Sequence, residues 1–358
     1  VSGGRKGRRL ALAAGAALAA VVCLTAARYG IRDLVDVLRT GYRWRWMPEG
    51  AVPADASPID SGRVAVNLLD DSFPVRVGWW SVQHDVTHPI DGVPAGLWLH
   101  AMAVNGRGTI VGRLDFEERD GLAFSQSPGE PLVRIRIRGA LSFWPVDIND
   151  QGEVVGFARV LPSLGCRAFA WRGDKGAREL NAPTRGLETQ AVGINEAGWV
   201  IGHATARDKS VMPVLWKPGQ DAVVLGRLPG FNKALASDLN DSGQVLVNFE
   251  APITYHGYLW TEAGGYAALP VPPGWDFVRA IAINNHGVVL LWAWQESSGD
   301  PHGFLVLPGG ELRELSDAPL GGVTLYEGLD DAGWLVGSIT REGASGGAKR
   351  GFAALPPW

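Results

Sequence analysis

The chain has 358 residues, of which 46% are hydrophobic and 20% charged, with 48 glycines and a formal net charge of −4. That balance belongs to a folded, turn-rich β protein and excludes a disordered one. Residues 1–27 hold Arg5, Lys6, Arg8 and Arg9, and the rest carries a net charge of −8, so it lacks the basic surface that nucleic acid demands; two cysteines, Cys23 and Cys166, build neither a disulfide framework nor a cysteine-based zinc site.

The four basic residues precede an uncharged run at 10–27, mostly Ala, Leu and Val. As a helix this run reaches about 27 Å, close to the roughly 30 Å of a bilayer's hydrocarbon core. Basic residues ahead of it keep the N-terminus in the cytoplasm and send the remainder across. The expected location is therefore extracytoplasmic, periplasmic or at the cell surface, either anchored to an inner membrane or secreted. Thr25-Ala26-Ala27 offers small residues for cleavage. Apolar spacing at Ile31, Leu34, Val35 and Leu38 continues a helix past the membrane, which favours an uncleaved signal anchor. The expected division is 1–40 for the basic region, anchor or signal peptide and helical linker, and 41–358 for the folded domain.

Residues 41–46, Gly-Tyr-Arg-Trp-Arg-Trp, alternate aromatic and basic side chains. They read as a strand that completes a sheet elsewhere in the chain, or as a juxtamembrane segment at the lipid surface. From Ile59 onward one pattern repeats. Gly62, Gly108, Gly152, Gly198, Gly243, Gly287 and Gly333 follow one another at steps of 44 to 46 residues, a period that marks a propeller or array. Each glycine closes an Asn-x-x-Gly element or its variant, as in Ile148–Ala158 and Ile194–Ala204. The Asn side chain starts a tight turn and the Gly supplies positive φ.

In the fourth repeat the expected strands are 189–194, 199–203, 212–216 and 222–225, four short apolar runs bounded by turn residues. Small residues in the first strand, such as Ala101, Ala103, Ala191, Gly193, Ala280 and Ala282, suit crowding near a central axis. Trp171, Trp216 and Trp260 end third strands, while Trp199 and Trp334 open second strands, so they read as packing residues. The expected fold is all-β, a seven-bladed propeller of four-stranded repeats. The seventh repeat lacks room for its fourth strand, and residues 41–46 are the candidate to supply it.

Arg167-Ala168-Phe169-Ala170-Trp171, His256-Gly257-Tyr258-Leu259-Trp260 and His302-Gly303-Phe304-Leu305, together with the Ile-Asn-x-x-Gly-x-Val-Val-Gly element, make the chain resemble the HAF repeat family of probable extracellular proteins. The resemblance runs from Ile59 to Leu355. It implies a repeat β fold and export, and it brings no catalytic residues to map. Arg167 and Met212 stand where two copies would have His.

Chemistry is expected at the end of the ring away from the tight turns, where the longer connections 113–121, 159–167, 205–211, 249–256, 295–302 and 341–349 gather. The first strands enter there, and their entries carry Trp98, His100, Trp144, Glu188, Gln190, Lys233, Trp275, Asp276 and Arg279. These nine are the candidate ligand-binding residues. Acidic residues beside the tight turns, Asp150, Glu196, Asp241 and Asp331, read as solvated because a calcium cage needs more ligands than one turn offers. His84, Asp85 and His88 read as loop residues rather than a metal site. No HExxH, GxSxG, Walker or dinucleotide motif is present in a fitting context, and no cofactor is expected. The reading that follows is a noncatalytic recognition module for an envelope protein or glycan. The alternative is a hydrolase or lyase of envelope polysaccharide or peptidoglycan, with paired carboxylates such as Glu188 and Asp276.

Overall fold

A computed structural model of the chain describes residues 42–48, 51–54, 59–68, 76–90, 98–116, 119–161, 165–184, 187–251, 254–297, 299–340 and 349–357. The apolar run 10–27 and the helical spacing at 31–38 lie outside the described residues. Among the described residues every regular element is a β-strand. No helix among them is long and apolar enough to cross a membrane.

The strands form six hydrogen-bonded sheets, all antiparallel apart from one bridge. In the fourth repeat the strands are Glu188–Ile194, Val200–Thr205, Val211–Trp216 and Val223–Val224, within two residues of the boundaries that the turn chemistry sets. This repeat shares an eight-stranded sheet with the fifth. The two are joined by a single parallel pair, Val211 with Lys233. The first strands of successive repeats touch one another, from Trp98–Val104 round to Val323–Leu329, and their small residues are what allow it: Ala101, Ala103, Ala191 and Ala280 are fully buried. Each of these first strands carries a bulge at the same place, between Ala101 and Ala103, Pro145 and Asp147, Ala191 and Gly193, Ala236 and Asp238, Ala280 and Ala282, and Tyr326 and Gly328. A bulge bends a strand and raises its local twist, which turns these strands about a common axis.

The Asn of each tight turn has two jobs. Its side-chain oxygen accepts the amide four residues on, as Asn195 Oδ1 does from Trp199 N at 2.9 Å, and Gly198 takes φ +75° to close the turn. Its amide nitrogen leaves the repeat altogether. Asn105 Nδ2 donates to Asn149 O, Asn149 to Asn195 O, Asn195 to Asn240 O, Asn240 to Asn284 O and Asn284 to Asp330 O, at 2.9 to 3.2 Å. The last step reverses: Asp330 has no amide to give, and its Oδ2 accepts Gly62 N of the first repeat at 3.0 Å. The chain of bonds thus returns to where the repeats begin.

Two further contacts close the ring. Trp334 of the last repeat packs in one cluster with Val64 and Trp80 of the first. Arg43–Trp46 runs antiparallel to Lys349–Leu355 as the outer strand of the last repeat's sheet, with Trp44 opposite Ala354 and Trp46 opposite Phe352. The alternation of residues 43–46 sets one side against the core: Trp44 meets Phe352 edge-on at 5.1 Å and stacks on Tyr42 at 5.7 Å.

Candidate functional site

The tight-turn end of the ring holds an axial cavity of about 190 Å³. Because the ring is closed, residues two places before successive turn glycines meet there although they are 44 to 46 residues apart in sequence. Asp60, Glu196, Asp241 and Asp331 form the rim, with Asn285 between the last two. Each position clips the next: Asp150 N donates to Glu196 Oε1, Glu196 N to Asp241 Oδ1, Asp241 N to Asn285 Oδ1 and Asn285 N to Asp331 Oδ1, at 2.7 to 2.9 Å. The second repeat has Gly106 here. A side chain on it would press on Asp150 Oδ2 and Ser61 Oγ at 3.0 and 2.9 Å.

Below the rim lie Asp147, Asp238, Glu327 and Asp330. The bulges aim the first two inward, and each carboxylate staples two repeats. Asp147 accepts Ile148 N and Ile194 N at 2.8 and 2.9 Å; Asp238 accepts Leu239 N and Ile283 N at 2.8 and 2.7 Å. Burial pushes the Asp238 carboxyl up to about 7, against the pull of Ile283 N and with the charge of Asp147 adding to it. Burial likewise lifts Asp330 to about 6, opposed by the amides of Trp334 and Gly62. Asp60 and Glu196 are also raised, first by burial and then by neighbouring carboxylates. Among the described residues no three of His, Cys, Asp and Glu are placed to hold a metal ion.

A pH dependence follows. An acid whose folded value lies above its free value near 3.8 favours the folded state most when both states are protonated. That advantage is lost as pH rises through the folded value. Asp238 and Asp330 therefore make the protein lose stability between about pH 4 and pH 7. In Asp238→Ala, where Ala282 shows the residue that the sixth repeat carries in the same place, melting temperature should be lower at pH 5 and should fall less steeply from pH 5 to 8. An unchanged slope defeats the assignment.

The nine candidate residues from the sequence sit elsewhere, spread over the second to sixth repeats, and none lines the axial cavity. Trp98 opens its strand opposite Asp115, and His100 lies opposite Arg113. Trp144 lies opposite Phe157 and stacks on it at 5.3 Å, with the guanidinium groups of Arg113 and Arg159 at 4.9 and 5.7 Å from its ring. Glu188 is exposed opposite Thr205. Gln190 Oε1 is 3.0 Å from Nε2 of His203, whose imidazole is pushed below its ordinary value by burial. Lys233 reaches Glu250 at 3.9 Å. Trp275 packs on His302 and Phe304 at 4.9 and 5.6 Å, Asp276 accepts Glu296 N at 2.9 Å, and Arg279 is exposed opposite Trp292. Arg113, opposite His100 in the strand pairing, has its guanidinium 4.9 Å from the Trp144 ring and so links two of the nine.

Of the other groups weighed from the sequence, Ser81 Oγ holds His84 Nδ1 at 3.0 Å, Asp85 accepts Trp80 Nε1 at 3.0 Å, and His88 stacks on Trp79 at 3.9 Å. The three are each occupied by a different neighbour. The axial carboxylates are the residues that sequence reasoning passed over. The rim acids had a signal, the acidic residue recurring two places before the turn glycine, and it reads as a local turn until the ring is closed.

No protein-family model and no curated protein matches the chain, so its resemblance to the HAF repeats is carried by its motifs alone. Solved structures do match. A catalytically inactive virginiamycin B lyase from Staphylococcus aureus with quinupristin aligns with 88% of this chain and 100% of its own, at 10% identity and a TM-score of 0.54. YCF48 bound to D1 peptide aligns over 88% and 95%, at 13% identity and 0.53. A prolyl endopeptidase aligns over 86% of this chain and 51% of its own, at 13% identity and 0.60, so the chain spans about half that enzyme. At such identities the likeness speaks for architecture only: the described residues form an all-β, β-propeller-like fold.

Proposed function

We propose that the chain is a seven-bladed propeller, residues 41–358, that acts outside the cytoplasm as a noncatalytic recognition module for an envelope protein or glycan. In this reading the eight-stranded sheet is two blades held by their one parallel bridge, and residues 10–27 carry the export signal that anchors or releases the domain. The observation that carries the recognition reading is the platform at Trp144, in which an indole stacked on Phe157 midway along the first strand of its repeat is flanked by two guanidinium groups. All four side chains are partly exposed. Aromatic faces beside cations suit sugar rings and protein anchors alike. A peptide-bound protein among the structural neighbours is consistent with it.

The enzyme alternative needs an acid and a base facing one space. Glu188 and Asp276 belong to the fourth and sixth repeats, and Asp276 is tied to Glu296 N, so recognition is the better supported reading. Trp144→Ala and Trp275→Ala together should weaken co-sedimentation with purified envelope glycan, or capture of an envelope protein partner, by about tenfold, the weight of one aromatic anchor. The melting temperature should change little for Trp144→Ala alone. If both changes lower melting and leave binding alone, the two residues form a plug and the reading fails.

A further inference from the structure

We propose that the axial cavity at the tight-turn end is a second binding site, which receives the ammonium or guanidinium group of a basic peptide segment. None of Trp144, Phe157, Arg113 and Arg159 lines it, and it does not depend on the recognition reading there.

The first argument is charge. Eight carboxylates line the cavity, and no lysine, arginine or histidine is among the lining residues. The backbone amides that clip these carboxylates donate hydrogen bonds without removing charge. The like charges therefore remain crowded in one concave space, where low-dielectric walls strengthen their field. Asp60, Glu196, Asp238 and Asp330 are each raised first by burial, and the charge of neighbouring carboxylates adds to it. A bound cation relieves this crowding.

The second argument is unfilled hydrogen-bonding capacity. Ser237 lines the cavity, and its hydroxyl is shut off from solvent with no partner; Asp150 Oδ1, at the rim beside Gly106, is in the same position. Buried polar atoms in native proteins are nearly always satisfied. A ligand that brings N–H donors supplies what both lack.

The third argument is shape. The carboxylates are spread round a ring and no three of them converge on one point, so the site does not resemble a metal cage, which gathers its oxygens about a single centre. An organic cation with several N–H donors matches dispersed acceptors. The wall also carries Val192 and Ile281, apolar surface against which the methylene stem of a lysine or arginine lies while its head stays among the carboxylates. A volume of about 190 Å³ equals about six waters, ample for such a side-chain end.

The test uses the full chain in mild nonionic detergent and a fluorescein-labelled tetralysine peptide, with the peptide acetylated on every lysine as its partner probe. Anisotropy should report saturable binding of tetralysine, weakened by added salt, and no binding of the acetylated probe. Glu196→Gln keeps the oxygen that accepts Asp150 N and removes one charge; it should weaken binding about threefold to tenfold. Ala197→Lys, an exposed position beside the rim, plants a competing cation without entering the core, and should weaken it further. Trp144→Ala should leave tetralysine binding unchanged, which separates this site from the Trp144 platform. Equal binding of the acetylated probe, wild-type affinity in both Glu196→Gln and Ala197→Lys, or displacement of tetralysine by equimolar calcium chloride would each overturn the proposal.

Discussion

Trp44→Ala should lower the unfolding free energy by about 3–5 kcal/mol, the range for deleting a large buried aromatic. For a domain of this size the melting temperature falls by roughly 5–8 °C. Trp44 has 0% of its surface exposed and belongs to a core that includes Phe352, Tyr326, Leu335 and Ile339 of the last repeat. Removing it leaves a cavity between strands that are far apart in sequence, and the outer strand loses its main hold. Arg45, the intervening residue on the same strand, is only half-buried; Arg45→Ala should cost about 1 kcal/mol or less. Truncation tests the strand as a whole. A chain that starts at Trp46 should melt well below one that starts at Gly41, as read by circular dichroism in the same buffer. Equal melting temperatures would show that the strand adds nothing to closure.

The second large effect is expected at Gly202. A methyl group there would stand 1.9 Å from the carbonyl oxygen of Gln190 on the paired strand. The obstacle is backbone, so no rotamer change relieves it. Gly202→Ala should therefore cost about 3 kcal/mol or more, the upper part of the range for overpacking. Gly112, Gly156 and Gly337 occupy the equivalent place and meet carbonyl oxygens at 1.9 to 2.1 Å. The fifth and sixth repeats carry Val247 and Leu291 instead, in the same register against Ala236 and Ala280, so their backbones give the side chain room. Gly219, with φ +71° and nothing near its missing Cβ, is the control: Gly219→Ala should cost only about 1 kcal/mol of strain. Denaturant unfolding of the two variants side by side checks the difference, and equal losses would refute the backbone clash.

The repeat, its turns and its strand boundaries were legible because they rest on local chemistry. An Asn that starts a turn and a Gly with positive φ are written within four residues of each other. The crowding of first strands was legible for the same reason, since Ala and Gly recur at fixed places ahead of the turn. What could not be read was anything that depends on the next repeat. Asn195 reads as a turn residue; that its amide also serves Asn240 O needs the ring. Glu196 and Asp241 read as solvated turn acids, and they are exposed. Their shared role in one mouth appears only when residues 45 positions apart are set side by side. Asp147 and Asp238 had no signal at all in the pattern, because a bulge decides which way they point. At the other end, Trp144 and Trp275 were singled out for standing apart from the repeating tryptophans. The structure gives both of them aromatic neighbours within their own sheets, a contact set that strand pairing alone does not reveal.

The belt of turn asparagines changes how such a molecule can come apart. In an open array of repeats, terminal units fray first and loss of order creeps inward, because an end unit has one neighbour instead of two. Here five amide links run in one sense and a sixth link, from Gly62 to Asp330, runs the other way. The joint the belt lacks, between the first repeat and the second, is made by the Asn67 side chain, which exchanges hydrogen bonds with the backbone of Ala101; the hoop so completed has no terminal unit to fray, but it has a clasp. Within the belt the clasp is the one link made by a carboxylate, and it lies where the first and last parts of the chain meet. Opening there turns the hoop into a strip, and only then do its two ends become free to peel.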